Sequence, residues 1–222
     1  MKRLIIFVLL GSTAPISRAE QIEITSRESP ALEGKTFGDV GAYEKLRGKA
    51  YGEIDPADPR NALITDIQLA PRNANGKVPY SMDIFVLKPI DLRKGNRRLL
   101  VDINNRGTMR WDRLNDGGDV NNPVTAADAG TGFLMLQGYA IVANGWDVDV
   151  APGGYKLTIT APVARNRDGS SITGPSYEYI NFDNARGAKY TLTYPAATLD
   201  KAKATLTVRG RLEDAPTTVP AR

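Results

Sequence analysis

A chain of 222 residues with 29 Lys and Arg, 25 Asp and Glu, and neither Cys nor His can bury one sizeable core but lacks most of the common catalytic groups. Without Cys there is no disulfide framework, thiol nucleophile or Cys-based metal cluster. Without His there is no Ser-His-Asp triad and no imidazole ligand. With 41% hydrophobic and 24% charged residues it reads as a soluble globular chain, and nothing in the sequence calls for a cofactor or a metal.

The first residues carry an export signature. Lys2-Arg3 precedes the apolar run Leu4 to Leu10, Gly11 to Pro15 interrupts it, and Ser17-Arg18-Ala19 places small residues where a signal peptidase cuts. The run is far shorter than the ~18 residues that span a bilayer, so no membrane span is expected. Residues 1–19 are thus expected to be a signal peptide and the mature protein exported, periplasmic or extracellular. Cleavage after Ala19 removes Lys2, Arg3 and Arg18 and no acid, which takes the formal charge from +4 to +1. The basicity belongs largely to the export signal and indicates no nucleic-acid partner.

In the remaining chain, Leu46, Gly48, Ala50, Gly52 and Ile54 alternate with Lys45, Arg47, Lys49, Tyr51 and Glu53, which predicts a half-exposed strand. Asp55-Pro56 and Asp58-Pro59 end it. Ala62 to Ala70 and Val78 to Leu87, with Asn75-Gly76 between them, predict a β-hairpin. Leu99 to Ile103 is a nearly continuous apolar run, expected to be a strand buried on both faces. Ala126 to Gln137 predicts a helix stopped at Gly138, and Tyr139 to Ala143 a second buried strand. Strand, loop, helix and strand in this order imply a crossover and a parallel pair. After Ala151, Leu157 to Thr160, Tyr190 to Thr193 and Leu206 to Val208 alternate apolar residues with Thr and predict a β-rich segment over 151–222.

Few residues point to chemistry. Gly169-Ser170-Ser171 and Gly174-Pro175-Ser176 approach a Gly-x-Ser-x-Gly elbow, but Thr173 and Glu178 stand where the second Gly belongs. Asp112, Asn115, Asp116, Asp119, Asn121 and Asn122 are rich in oxygen ligands, but Leu114 breaks a calcium-loop spacing. Asp102, Asp147, Asp149 and Glu178 offer carboxylates, but no spacing selects a pair. The loop Asn104-Asn105-Arg106-Gly107 follows the apolar strand at its carboxyl end, where parallel sheets collect ligands. Its N–H groups are candidates to receive an oxyanion; alternatively, Arg106 pairs with a nearby carboxylate such as Asp102. Trp146 and Asp147, after the next strand, are candidate pocket-rim residues.

Several stretches together resemble a known family: Gly41 to Gly48, Glu53 to Pro56, Asn61 to Asp66, Leu69 to Asn73, Asn104 to Gly107, Gly138 to Val142, Gly145-Trp146 and Tyr194 to Leu199. They are similar to the N-terminal portion of the secreted "alpha/beta hydrolase domain-containing" group. The resemblance implies an incomplete α/β-hydrolase-like sheet over 20–150 and a β-rich insertion or cap-like segment over 151–222. It also implies an ester-type hydrolase ancestry, with the serine elbow, acid and histidine beyond Arg222. No catalytic residue carries over. The expected fold class is therefore α/β with β-rich parts, and the chain is expected to self-associate or to need a partner carrying the missing half. A second reading fits the same residues: a non-enzymatic, exported β-rich binding module for carbohydrate or a protein partner.

Overall fold

The computed structural model describes residues 19–151, 153–180 and 189–220. The basic and apolar residues of the expected signal peptide lie outside the described residues. The chain divides into two compact units, one up to Ser170 and one from Ser171 on.

The first unit is built on a seven-stranded mixed sheet: β1 (Ala19–Glu28), β2 (Thr36–Phe37), β3 (Gly41–Ile54), β4 (Val78–Pro89), β5 (Leu99–Asp102), β6 (Ala140–Asn144) and β7 (Ile159–Thr160). Its main path runs β1-β3-β4-β6-β5, with β2 beside β3 and β7 beside β4. All pairs are antiparallel except β5 with β6, which are parallel as the crossover pattern predicts. The architecture is mixed α/β with a sheet-dominated core. Its helices are short: α1 (Asp112–Asn115), α2 (Phe133–Leu136) and 3-10 turns.

The strand period of two explains the core. Tyr43, Phe85, Leu87, Ile141 and Ala143 are buried in one cluster with Met109, Trp111, Leu134, Met135 and Leu157 from the connections. The Tyr43 hydroxyl donates to the Met135 and Tyr139 carbonyls at 3.1 and 2.9 Å, so this buried phenol ties β3 to the end of α2.

The predicted β3 alternation is real, but its charged residues are not all exposed. Glu44 and Lys45 are both buried. Glu44 faces Lys88 across the β3–β4 ladder and accepts from Arg27 Nε at 2.8 Å. Lys45 reaches Glu28 at 2.8 Å and the Pro123 carbonyl at 2.7 Å. Each buried charge has an opposite charge or a carbonyl to offset lost hydration.

The expected hairpin has a different first strand. β4 pairs with β3 from Tyr43↔Pro89 to Ile54↔Val78, and residues 55–77 form turns, including 3-10 turns at Pro59–Asn61 and Ile67–Leu69. Ala62–Ala70 is not extended: Asp66 adopts a left-handed conformation and Leu63 is 93% exposed. The Asn-Gly signal marks a real turn, Asn73 N–H to the Lys77 carbonyl at 2.8 Å, that feeds β4.

The expected helix over 126–137 is also corrected. A 3-10 turn at Ala126–Ala129 and α2 are separated by Gly130 and Gly132, both at positive φ. A Cβ at Gly130 would meet the Asn115 carbonyl at 2.2 Å, so the glycine admits a crossing chain that a continuous helix would exclude. Gly138, at φ 73°, ends α2 where predicted.

Two further expectations fail. Leu99 to Asp102 is an edge strand, not one buried on both faces: Leu99 and Val101 are 41% and 46% exposed. Among the described residues the segment after Ala151 has little strand. It contributes β7 and, in the second unit, a two-strand pair of β8 (Thr207–Val208) and β9 (Thr217–Thr218), while Tyr190 to Thr193 forms no strand. Every residue from Lys189 to Pro220 is exposed, because Thr and charged residues flank each short apolar group.

Candidate functional site

The carboxyl ends of β5 and β6 lie side by side because the strands are parallel, with Asp102 opposite Ala143. The chain leaves β5 into Asn104-Asn105-Arg106-Gly107 and leaves β6 into Gly145-Trp146-Asp147, and these loops are bonded together. Asn104 Nδ2 donates to the Asn144 carbonyl at 2.7 Å, and Trp146 Nε1 donates to the Asn104 carbonyl at 2.9 Å. Arg106 Nε donates to Asp147 at 2.7 Å. The candidate loop and the candidate rim residues thus form one constellation.

The first loop is a tight turn. Asn105 and Thr108 exchange backbone bonds at 2.8 and 3.1 Å, with Arg106 and Gly107 at φ 49° and 82° between them. Two consecutive positive φ values define the turn that Arg-Gly closes here. Gly107 cannot be replaced cheaply: a Cβ there would meet the Leu157 carbonyl at 2.7 Å.

Part of the loop's donors are already used. The Gly107 N–H donates to Asn104 Oδ1 at 2.7 Å, and those of Asn105 and Thr108 close the turn. Among the described residues the Asn104 and Arg106 N–H groups carry no bond; Asn104 is buried and Arg106 exposed, so Arg106 offers the accessible main-chain donor for an oxyanion. Asn104 is buried, so its amide organises the turn rather than meeting solvent.

Arg106 pairs with Asp147 and not with Asp102. Asp102 is buried and accepts the Arg110 and Trp111 N–H groups at 2.6 and 2.8 Å. Burial pushes its carboxyl above the usual range, against the pull of those N–H groups. Asp147 is held below the usual range by the Asp149 N–H and by Arg106. Two aspartates one strand apart thus differ in proton affinity because burial dominates at one, while an N–H and a cation hold the other.

The acid- and amide-rich segment serves the chain itself. Asn121 accepts the Met109 N–H at 2.9 Å and donates to the Gly107 carbonyl at 3.3 Å, Asn115 accepts the Leu134 N–H at 2.8 Å, and Asp119 accepts the N–H groups of Asn121 and Asn122. Among the described residues no group of three carboxylates could hold a metal ion. Ser170 lies in an exposed turn, its hydroxyl on Asp168 at 2.7 Å, and Ser171 and Ser176 are exposed in segments that open no helix. Glu178, in the second unit, accepts the Thr193 N–H at 2.7 Å.

Sequence reasoning missed Asp83 and Thr158. Asp83 on β4 accepts the Gly145 N–H on its carbonyl and the Thr158 N–H on its carboxylate, and pairs with Lys49 at 2.9 Å. The Thr158 hydroxyl donates to the Asp147 carbonyl at 3.0 Å. No local motif encodes these contacts; only the β4–β6 register brings them together. A separate apolar cleft of about 200 Å³, lined by Ile54, Ile67, Val78, Tyr80 and Ile159, includes none of the candidate site residues. Compared with protein-family models, curated proteins and solved structures, the chain matches none.

Proposed function

We propose that this chain is the N-terminal, sheet-founding part of an exported α/β-hydrolase-like protein of ester-type ancestry. On this reading the Asn104–Gly107 loop and Trp146–Asp147 form its substrate-side wall, and the chain is catalytically incomplete by itself. The observation that carries the reading is the parallel β5–β6 pair with both following loops bonded together at the carboxyl ends. In open α/β sheets that is where ligands bind, and in α/β-hydrolases an N–H of such a loop supports the oxyanion. The Arg106 N–H, exposed and without a bond among the described residues, supports that reading as a donor on the loop. The binding-module alternative draws less support, since among the described residues its expected β-rich segment has few strands and residues 189–220 are all exposed.

Two measurements test the reading. The purified chain should hydrolyse activated esters no faster than a denatured control. Turnover above that control, lost in Ser171→Ala or Ser176→Ala, would overturn the assignment of incompleteness. The coding DNA after the Arg222 codon should continue, directly or after one frameshift, into a Gly-x-Ser-x-Gly motif and a histidine. A stop followed by nothing related would overturn the hydrolase reading and favour the binding module.

A further inference from the structure

We propose that the turn joining β4 to β5, residues 90–98, docks on a bilayer that carries anionic phospholipid. Arg93, Lys94, Arg97 and Arg98 stand within six residues, all of them exposed, and Asp91 is the segment's one acid. Arg93 holds Asp91 with Nε and Nη2, both at 2.9 Å. Lys94, Arg97 and Arg98 form no ion pair among the described residues. After removal of residues 1–19 the formal charge is only +1, so this turn is a local concentration of cations and not a sample of general basicity.

The turn is held in shape. Asp91 Oδ1 accepts the Arg93 N–H at 3.1 Å, and Asn96 Oδ1 accepts the Arg98 N–H at 2.8 Å. Asn96 also reaches the end of α2, its N–H on the Gly138 carbonyl at 2.9 Å and its Nδ2 on the Gln137 carbonyl at 2.6 Å. The cations thus stand on a fixed loop, which limits the ordering cost of binding. Exposed cations without acids are expensive to strip of water, so this surface stays open whatever strand is added beside β5.

Apolar side chains choose between the possible anionic partners. Ile90 and Leu92 are 43% and 59% exposed, and Leu92 shares a 3-10 turn with Arg93 and Lys94. A bilayer meets both features: headgroup phosphates take the cations, while Ile90 and Leu92 enter the acyl boundary beneath them. A soluble polyanion meets the charges alone and leaves both aliphatic side chains in water. The placement is compatible with the hydrolase reading without resting on it. β4 runs antiparallel to β6 and β6 parallel to β5, so the turn lies at the end of the sheet opposite the loops 104–107 and 145–147.

The chain lacks cysteine, so a single Leu92→Cys carrying an environment-sensitive fluorophore reports contact at this turn. Its emission should shift to the blue on vesicles of phosphatidylglycerol and phosphatidylcholine in equal parts, and not on phosphatidylcholine alone. The same label at Leu63→Cys, exposed in the connection at the other end of β4, should not shift, which separates docking at this turn from binding elsewhere on the chain. Lys94→Gln with Arg97→Asn should weaken vesicle binding about 30-fold, at about fivefold for each cation near an anionic surface. Asn tolerates the positive φ of Arg97, so the melting temperature should hold. Lys201→Gln with Lys203→Gln removes as much charge from the second unit and should leave binding unchanged. No shift at Leu92, an equal shift on phosphatidylcholine, an equal loss in both double variants, or tighter binding of heparin than of the anionic vesicles would overturn the proposal. Ester turnover and the frame after Arg222 bear on none of these outcomes.

Discussion

Arg106 Nε and Asp147 Oδ2 lie 2.7 Å apart although 41 residues separate them in the chain, and their pairing clips together the loops that leave two parallel strands. The Arg106 side chain is 61% exposed and that of Asp147 only 11%. Such a half-shielded pair is worth at most about 1 kcal/mol and weakens with salt. A double-mutant cycle of Arg106→Ala and Asp147→Asn should therefore give a coupling of about 0.5–1 kcal/mol at low salt, falling toward zero in concentrated NaCl. A coupling that salt leaves unchanged would place the pair in a drier setting than the structure gives it.

Asn104 should matter more than Arg106 for stability. Its buried amide accepts the Gly107 N–H and donates to the Asn144 carbonyl. Asn104→Ala strands both partners, at about 1–3 kcal/mol for each group left shielded from water. Urea unfolding should show a loss of about 2–4 kcal/mol. The emission of the half-exposed Trp146, bonded to the Asn104 carbonyl, should shift toward that of a solvated indole.

Glu44 predicts a specific pH dependence. Burial alone would raise its carboxyl, but Lys88 and Arg27 outweigh burial and hold it below the usual glutamate range. A carboxyl whose folded pKa lies below its unfolded value, about 4.3, stabilises the fold above that value and loses the contribution as pH falls through the folded one. Glu44→Gln should cost about 1–3 kcal/mol at neutral pH, where two cations lose their counter-charge. The difference from the wild type should shrink as pH drops below about 4. Chemical denaturation at neutral and acid pH checks both parts.

Gly145 is required by a close approach rather than by a turn. A Cβ there would lie 2.0 Å from the Thr158 carbonyl, and its N–H donates to the Asp83 carbonyl at 2.8 Å. Gly145→Ala must push the 157–160 segment off β4 and uncover Leu157, a core residue. The expected loss is about 3 kcal/mol or more, with hydrogen exchange at Thr158 and Ile159 accelerating first.

If the protein is exported, its mature N-terminus should be Glu20. The register from Gln21↔Tyr51 to Glu28↔Lys45 does not involve the removed residues, so β1 would keep its place after cleavage. N-terminal sequencing of secreted material checks this, and a chain still beginning at Met1 would count against it.

Some features were legible in the chain itself because they rest on local physics. Strand alternation at 46–54 and 78–87, the turn at Asn75-Gly76, the stop at Gly138 and the parallel pair from 99 to 143 all follow from residue period or backbone freedom. Other features were decided only by tertiary contacts. Ala62 to Ala70 alternates like a strand yet pairs with no described strand, since β3 already fills its side of β4. Residues 126–137 have helical spacing, but the chain at Asn115 crosses where the helix would run. The apolar run at 99–103 reads as doubly buried, but burial depends on what lies beside a strand, and β5 lies at the end of the sheet's strand order. The candidate site shows the same division. Asn104 to Gly107 and Trp146–Asp147 were singled out as separate loops after apolar strands. That Arg106 selects Asp147 over the nearer-in-sequence Asp102 follows from the burial of Asp102 under two N–H groups, which depends on neighbours brought in by the fold.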